Sequence, residues 1–301
     1  HLGLITMLLG TGTAFGAMAA VFHILNHATF KAALFMSAGI IDHEAHTRDI
    51  RRLGGLRKLM PVTFVIASLA ALSMAGIPLL NGFLSKEMML EEANHTILLG
   101  IPWLVPALAT FGSLFSAAYC FRLIGHVFFG PVRDDYPAKP HDPPAGLWIP
   151  PAILVVLVVV IGLAPFVAEP FVKLVTASVL GDAAEMPKAY FKIWHGLVPA
   201  LYMSIVAVVG GMIMLAVFNP ALRLWEATPR PEAKPIFEGI VEAVTLLAKR
   251  LILPLHNGAF TRYAAIGTVV IVAAGFHAWT TGTISVPTRQ MQPADPVAIA
   301  G

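Results

Sequence analysis

The sequence predicts an all-α fold, a polytopic membrane helix bundle with one transmembrane helix that is broken around residues 76–82. Hydrophobic residues make up 57% of the chain and charged residues only 12%, whereas an ordinary soluble domain carries about a quarter charged residues. Long apolar segments recur, and each can cross a hydrocarbon core of about 30 Å. One segment contains Gly76, Pro78 and Gly82 near its centre. The composition therefore indicates a membrane protein, and the proline predicts the break.

The apolar segments predict six full-length spans. The ten residues before the first span, HLGLITMLLG, are typical of the end of an earlier span, and the chain begins at His1 rather than at Met. We therefore expect the chain to be an internal fragment of a longer protein. The six spans are expected near residues 13–40, 61–90, 100–129, 147–170, 195–218 and 260–284.

The charges and the single cysteine limit the functions that this chain can have. The net charge of +3 is small for 301 residues, and the basic residues lie mainly in loops, which indicates membrane topology rather than nucleic-acid binding. By the positive-inside rule, the loops after the first, third and fifth spans face the cytoplasm. Cys120 is the only cysteine, so an intrachain disulfide and a cysteine-based iron–sulfur site are excluded.

An amphipathic helix is predicted between the last two spans, near residues 236–253. Its apolar residues recur at helical spacing, so we expect the helix to lie along the cytoplasmic surface of the membrane. A short connector packed on protein is an equally good interpretation of the same pattern.

The segment FHILNHATFKAALFM, residues 22–36, places His23, His27 and Lys31 at positions i, i+4 and i+8. On a helix these side chains form a row about 12 Å long on one face. Ionisable residues inside a membrane span are costly and are by default candidates for an ion or proton pathway. A single buried histidine is more often a core residue with satisfied hydrogen bonds, but the shared face favours a pathway.

The segment SLAALSMAGIPLLNGFLSKEMMLEEA, residues 68–93, combines a predicted helix break with a lysine. Pro78 removes a backbone donor and clashes with the preceding turn. Carbonyl groups that are freed at membrane depth need protein or water as partners, and transporters use such broken helices to bind ions or water. Lys86 follows the break directly. Its side chain could instead extend to the outer surface, because the span ends soon afterwards.

Lys31 and Lys86 are the best candidates for carrying a proton. Burial disfavours the charged form of a lysine, whereas a nearby carboxylate favours it, so a buried lysine whose partner changes can load and release a proton. His23 and His27 could pass a proton between them, because histidine titrates near neutral pH. Glu87 points away from Lys86 on a helix, so we expect no pair between these neighbours.

Other ionisable residues are predicted to be structural. Residues 42–49, DHEAHTRD, contain several potential metal ligands but lack a recognised ligand spacing. A solvated loop at a helix end is the favoured interpretation of this segment. His195 and His277 are isolated within or near spans, and no function is assigned to them.

Three motifs occur in order within residues 1–130: HILNHATFKAALFMSAG, RRLGGLRKLMP and AGIPLLNGFLSKEMML. Together they resemble the proton-translocating antiporter family that is shared by respiratory complex I and the multisubunit Mrp-type cation/proton antiporters. In that family the histidines and the lysine of the first motif belong to a central polar axis, and the lysine of the third motif ends an exit-side half-channel. The matching positions here are His23, His27, Lys31 and Lys86.

Residues 131–301 resemble the extension of the Mrp-type A subunits, which are related to complex I subunit L. The segments HDPPAGLWIPPAILVVLVVVIGL, IWHGLVPALYMSIVAVVGG and LPLHNGAFTRY carry this resemblance. Subunit L has a very long lateral helix between its last two spans, whereas the 41 residues from Asn219 to Ala259 leave room only for a short one. The other half-channel of the family depends on a glutamate and a lysine on earlier spans, for which this chain has no counterpart.

The resemblance implies part of an antiporter that exchanges Na⁺, or a related monovalent cation, for H⁺ through buried lysines, histidines and water. It implies an ion transporter component rather than an enzyme, with no cofactor and no assigned cation site. The implied partners are the other subunits, membrane lipid and the transported ions, without nucleic acid, in a prokaryotic inner membrane. The alternatives are a proton-pumping subunit of a complex I-type NADH–quinone oxidoreductase or a membrane-bound hydrogenase, and a scaffold whose polar row no longer conducts.

Overall fold

The structure, a computed structural model, describes residues 1–181, 186–187, 191–228, 232–256 and 258–282. These residues form α-helices and their connections, and the all-α prediction is confirmed. The helices are α1 (Leu2–Gly10), α2 (Ala14–Ala45), α3 (Pro61–Ala75), α4 (Asn81–His95), α5 (Leu104–Leu123), α6 (Ala145–Leu163), α7 (Glu169–Leu180), α8 (Pro199–Ala216), α9 (Phe218–Ala227), α10 (Ala233–Leu255) and α11 (Phe260–Thr281).

Five of the predicted spans are single helices that are long and apolar enough to cross a membrane. They include α2, α6, α8 and α11, together with α5, which continues as a π-helix to Phe128. The remaining span, predicted near residues 61–90, consists of the two shorter helices α3 and α4. The polytopic membrane bundle is therefore confirmed, with one of its spans built from two half-helices.

The predicted break lies between α3 and α4. Helix α3 ends at Ala75, Gly76 follows with a φ of +91°, and α4 begins at Asn81. Gly82 lies in the first turn of α4 rather than in the connection. A Cβ atom at Gly82 would lie 2.0 Å from the carbonyl oxygen of Ser73, so the two half-helices approach too closely for any other residue.

Helix α2 is central to the first compact unit, residues 1–225. It contacts α1, α3, α4, α6 and α7, while α5 packs along α8. Thr13 precedes α2, and its hydroxyl group accepts a hydrogen bond from the Gly16 amide at 2.8 Å. The same hydroxyl group donates to the buried carboxylate of Glu92 at 2.5 Å. This cap fixes the start of α2 against the end of α4.

The second unit, residues 226–301, contains α10 and α11 among its described residues. Helix α10 includes the predicted amphipathic segment 236–253, so the helix itself is observed. Its position along a membrane surface stays a prediction. Within α10, the ammonium group of Lys234 lies 3.8 Å from the carboxylate of Glu238, one turn later.

Candidate functional site

Lys86 is enclosed at the break between α3 and α4. Its side chain is 3% exposed, and its Nζ atom donates to the carbonyl oxygen of Ala75 at 3.1 Å and to the hydroxyl group of Ser116 at 3.4 Å. Ala75 is the last residue of α3, so its carbonyl group has no partner further along that helix. The side chain therefore stays in the interior and does not extend to the outer surface.

The end of α3 is suited to hold a positive charge. Carbonyl groups at a helix C-terminus carry the negative end of the helix dipole, and a buried charge is tolerated only where fixed polar groups contact it. Gly76 provides the space, because a Cβ atom there would lie 3.0 Å from the Lys86 Cδ atom. The break thus creates both the acceptor for the ammonium group and the room for the lysine chain.

A buried polar network holds the two half-helices together. The Asn81 side-chain amide donates to Asn26 Oδ1 at 3.1 Å and to Thr29 Oγ1 at 2.9 Å. Its Oδ1 atom accepts from Ser73 at 2.7 Å, and the Ser73 hydroxyl group also accepts from the Gly82 amide at 3.0 Å. Every hydrogen-bonding group of the Asn81 side chain is used, so the break is fixed rather than a loose hinge.

The histidines connect to Lys86 through a chain of hydrogen bonds. His23 is fully buried, with Nδ1 lying 3.0 Å from Ser85 Oγ and Nε2 lying 3.0 Å from His1 Nδ1. The other ring nitrogen of His1 lies 3.0 Å from Ser116 Oγ, and Ser116 also contacts Lys86. His23, His1, Ser116 and Lys86 therefore form a continuous polar path.

His1 has no role in the sequence-based prediction. The only sequence signal for it is an ionisable residue at the edge of an apolar segment. Its partners His23 and Ser116 lie 22 and 115 positions away, so no local spacing indicates them. The packing of α1 on α2 brings these groups together.

His27 and Lys31 lie beside this path rather than in it. The ring centroid of His27 lies 5.4 Å from that of His1 and 6.1 Å from that of His23. The Lys31 ammonium group lies 5.6 Å from the ring centroid of Phe35 and 5.7 Å from that of Tyr119. Lys31 also lines a cavity of about 370 Å³. The three residues of the predicted row, His23, His27 and Lys31, therefore lie in three different environments.

Glu87 belongs to a second buried polar pair. Its carboxylate is buried, and Oε2 lies 3.3 Å from Nδ1 of His195, in the segment before α8. No salt bridge joins Glu87 to Lys86 in the described part of the chain, as expected for neighbours on a helix. The sequence assigns no function to His195, and the separation of 108 residues hides this pair from sequence patterns.

The segment 42–49 differs from its prediction as a solvated loop. Residues 42–45 form the last turn of α2, and the Glu44 carboxylate is buried. Nδ1 of His43 lies 2.9 Å from this carboxylate, and Nδ1 of His141 lies 3.2 Å from it. The loop prediction is therefore wrong for the first half of the segment, because the Glu44 side chain is buried and its carboxylate contacts two histidines.

A helix bundle with a broken helix and a buried polar path has the architecture of a membrane transporter. Residues 1–116 match the family described as "NADH:quinone oxidoreductase/Mrp antiporter, TM". This match covers 116 of the 301 residues, and it confirms the predicted resemblance of this part of the chain to the proton-translocating antiporters.

Curated relatives extend this similarity beyond residue 116. The probable K⁺/H⁺ antiporter A/B subunit of Rhizobium meliloti (strain 1021) is 50% identical over 214 residues, which cover 70% of this chain and 21% of the relative. The Na⁺/H⁺ antiporter A subunit of Alkalihalophilus pseudofirmus is 41% identical over 240 residues, covering 71% of this chain and 30% of the relative. The chain thus spans less than a third of the length of these relatives and resembles A subunits, as predicted.

Solved structures show the same fold. The "Structure of Mrp complex from Dietzia sp. DQ12-45-1b" contains a chain with 29% sequence identity and a TM-score of 0.71, covering 96% of this chain and 31% of that chain. A chain of the "membrane-bound sulfane sulfur reductase (MBS), an archaeal respiratory membrane complex" has 24% identity and a TM-score of 0.58, with coverage of 91% and 50%. The second likeness concerns the fold alone.

Proposed function

We propose that this chain is part of a membrane cation/proton antiporter in which Lys86, Lys31, His23 and His27 carry protons. One observation supports this most strongly: the enclosed Lys86 ammonium group contacts both the end of the broken helix and Ser116. Ionisable groups at membrane depth that face the bundle interior are the usual elements of proton relays.

The protonation state of Lys86 depends on its acceptors in this proposal. The Ala75 carbonyl group stabilises the charged lysine, and the burial of the side chain opposes it. A proton that leaves Lys86 can pass through Ser116 and His1 to His23, because a hydroxyl group and a neutral imidazole each both donate and accept hydrogen bonds. Water completes the path towards His27 and Lys31, where the cavity beside Lys31 has room for it.

We propose Na⁺, or a related monovalent cation, as the exchanged ion. The two relatives described above support this choice of monovalent cations, since one is named for K⁺/H⁺ and the other for Na⁺/H⁺ antiport. The other subunits of a multisubunit complex are the proposed protein partners, and a prokaryotic inner membrane is the proposed location. No residue of the chain is assigned to the cation.

Sodium-driven proton movement in everted vesicles tests this function. The chain is expressed together with its neighbouring subunits in cells that lack other antiporters, and a pH-gradient dye is followed after addition of Na⁺ or K⁺. Cation-dependent dequenching is expected, and Lys86→Ala or Lys31→Ala should abolish it while the complex still assembles. Lys58→Ala, at an exposed position outside the spans, is the control and should keep full exchange. Normal exchange in both interior variants would defeat the proposal.

A redox-driven proton pump is the second candidate. It is favoured by the family description, which covers NADH:quinone oxidoreductase subunits as well as Mrp antiporters. The same vesicles separate the two functions. A lack of response to every cation, together with proton uptake driven by an electron donor, would assign the chain to the redox class.

A further inference from the structure

The turn between α10 and α11 concentrates positive charge. From residue 243 to residue 282 the only formally charged side chains are those of Lys249, Arg250 and Arg262. All three line one cavity of about 470 Å³, together with Leu246 and Leu253. All formally charged side chains of this 40-residue stretch therefore line the same cavity, and all of them are cations.

The positive charge of this cavity is not neutralised by α10. The acidic residues of the helix, Glu238 and Glu242, lie in its first half, and Glu238 pairs with Lys234. Within the described residues, Lys249 and Arg250 form no salt bridge. Both side chains are exposed. Both acidic residues of the helix thus lie in its first half, and the second half carries only positive formal charge.

The cavity lies where a membrane span begins. Helix α11 is long and apolar enough to cross a membrane, and Arg262 lies in its first turn, with Nη1 donating to the carbonyl oxygen of Leu253 at 3.4 Å. This contact joins the end of α10 to the start of α11. Leu246 and Leu253, which are 49% and 57% exposed, place apolar surface beside the cations. A ligand for this site should therefore combine negative charge with hydrocarbon.

We propose that this cavity binds the headgroup phosphate of an anionic phospholipid. Clusters of basic residues beside a membrane span attract anionic lipids, by about fivefold in affinity for each cation. The Arg250 guanidinium group can donate two parallel hydrogen bonds to phosphate oxygens, and Lys249 adds a second positive charge. The two leucines contact the acyl chains. This site does not depend on the proposed transport function.

Native mass spectrometry of the purified full chain tests the proposal. The dissociation constant for phosphatidylglycerol is compared between the natural chain and Lys249→Gln/Arg250→Gln. The double variant should weaken binding by roughly tenfold or more, because two interfacial cations are lost. Arg223→Gln/Lys234→Gln removes the same charge from exposed helical positions that do not line this cavity and should leave the dissociation constant unchanged.

Three further measurements complete the test. Lys249→Arg/Arg250→Lys should retain the affinity, because it keeps both charges, and a loss there would show that shape rather than charge is responsible. Phosphatidylcholine should bind weakly, and equal binding of this neutral lipid would overturn the proposal. Inorganic phosphate should not displace the lipid. Displacement at equal concentration would assign the site to a soluble anion instead, and an equal effect of both double variants would also refute a lipid site.

Discussion

The two interior lysines differ in the contacts that hold their ammonium groups. Lys86 is 3% exposed and donates to a backbone carbonyl group and a serine hydroxyl group at the break between α3 and α4. Lys31 is half-buried, lies over the rings of Phe35 and Tyr119, and borders a cavity of about 370 Å³. Lys86 has a fixed set of polar partners, whereas Lys31 has aromatic faces and open space.

This difference indicates how each charge is tolerated in the bundle. An enclosed charge needs fixed polar groups, because removal of any partner leaves it unpaired in an apolar environment. A half-buried charge is stabilised more weakly by aromatic rings and by water that reaches it. Changes at the broken helix should therefore affect Lys86 strongly and Lys31 little.

The largest effect on stability is expected from Asn81→Leu. This change removes the amide that joins α4 to Asn26 and Thr29. The Asn26 Oδ1 atom and the Thr29 hydroxyl group each lose a donor, and the Ser73 hydroxyl group loses its acceptor. Each unsatisfied buried group lowers the free energy of unfolding by about 1–3 kcal/mol. The free energy of unfolding of the variant should therefore fall by about 3 kcal/mol or more. The midpoint of thermal unfolding in detergent measures the loss.

Asn94→Leu is the control for this variant, because Asn94 lies on the same helix, is only partly buried and has no such network. Its unfolding midpoint should stay close to that of the natural chain. Equal midpoints for the Asn81 and Asn94 variants would show that the polar network does not hold the break together.

A smaller, asymmetric effect is expected when each lysine is replaced by arginine. Lys86→Arg forces a larger group into an enclosed site and should lower the free energy of unfolding by about 1–3 kcal/mol. Lys31→Arg should leave the unfolding midpoint unchanged, because the cavity has room and aromatic rings accept a guanidinium group. Both variants should lose exchange, since arginine does not release its proton. Equal stability of the two variants would remove the distinction between the sites.

The smallest effect is expected from Ser116→Ala. Ser116 connects His1 to Lys86, so its loss should lower the initial rate of exchange in vesicles and reduce stability by about 1 kcal/mol. Ser113→Ala is a matched control on the same helix, because the Ser113 hydroxyl group is buried without a hydrogen-bond partner. That variant should be neutral or slightly stabilising. A normal exchange rate in Ser116→Ala would show that protons do not need this connection.

Much of the fold could be predicted because its signals are local. Pro78 and Gly76 determine where α3 stops, since both act on the backbone of one turn, and the observed break lies between Ala75 and Asn81. The length of each apolar segment likewise indicates a span. The segment at residues 42–45 shows the limit of this reasoning: charged residues predict a loop, but Glu44 has buried contacts that keep the helix intact.

The candidate site could be predicted only in part. Lys86, Lys31, His23 and His27 follow from residue type and helical spacing. His1 and the pair of Glu87 with His195 depend on helices that are distant in sequence, and no spacing within one helix encodes them.

The sequence by itself determined the spans, the broken helix and the face that His23, His27 and Lys31 share, because helical periodicity and the restrictions of proline operate within a few residues. Only the tertiary structure decided that the carbonyl group of Ala75 accepts from Lys86 and that His1 joins His23 to Ser116. The contact of Ala75 with Lys86 arises where α3 meets α4, and the contacts of His1 arise from the packing of α1, α2, α4 and α5. Such packing depends on side chains far apart in the chain, and it sets the depth and the polarity of each buried group.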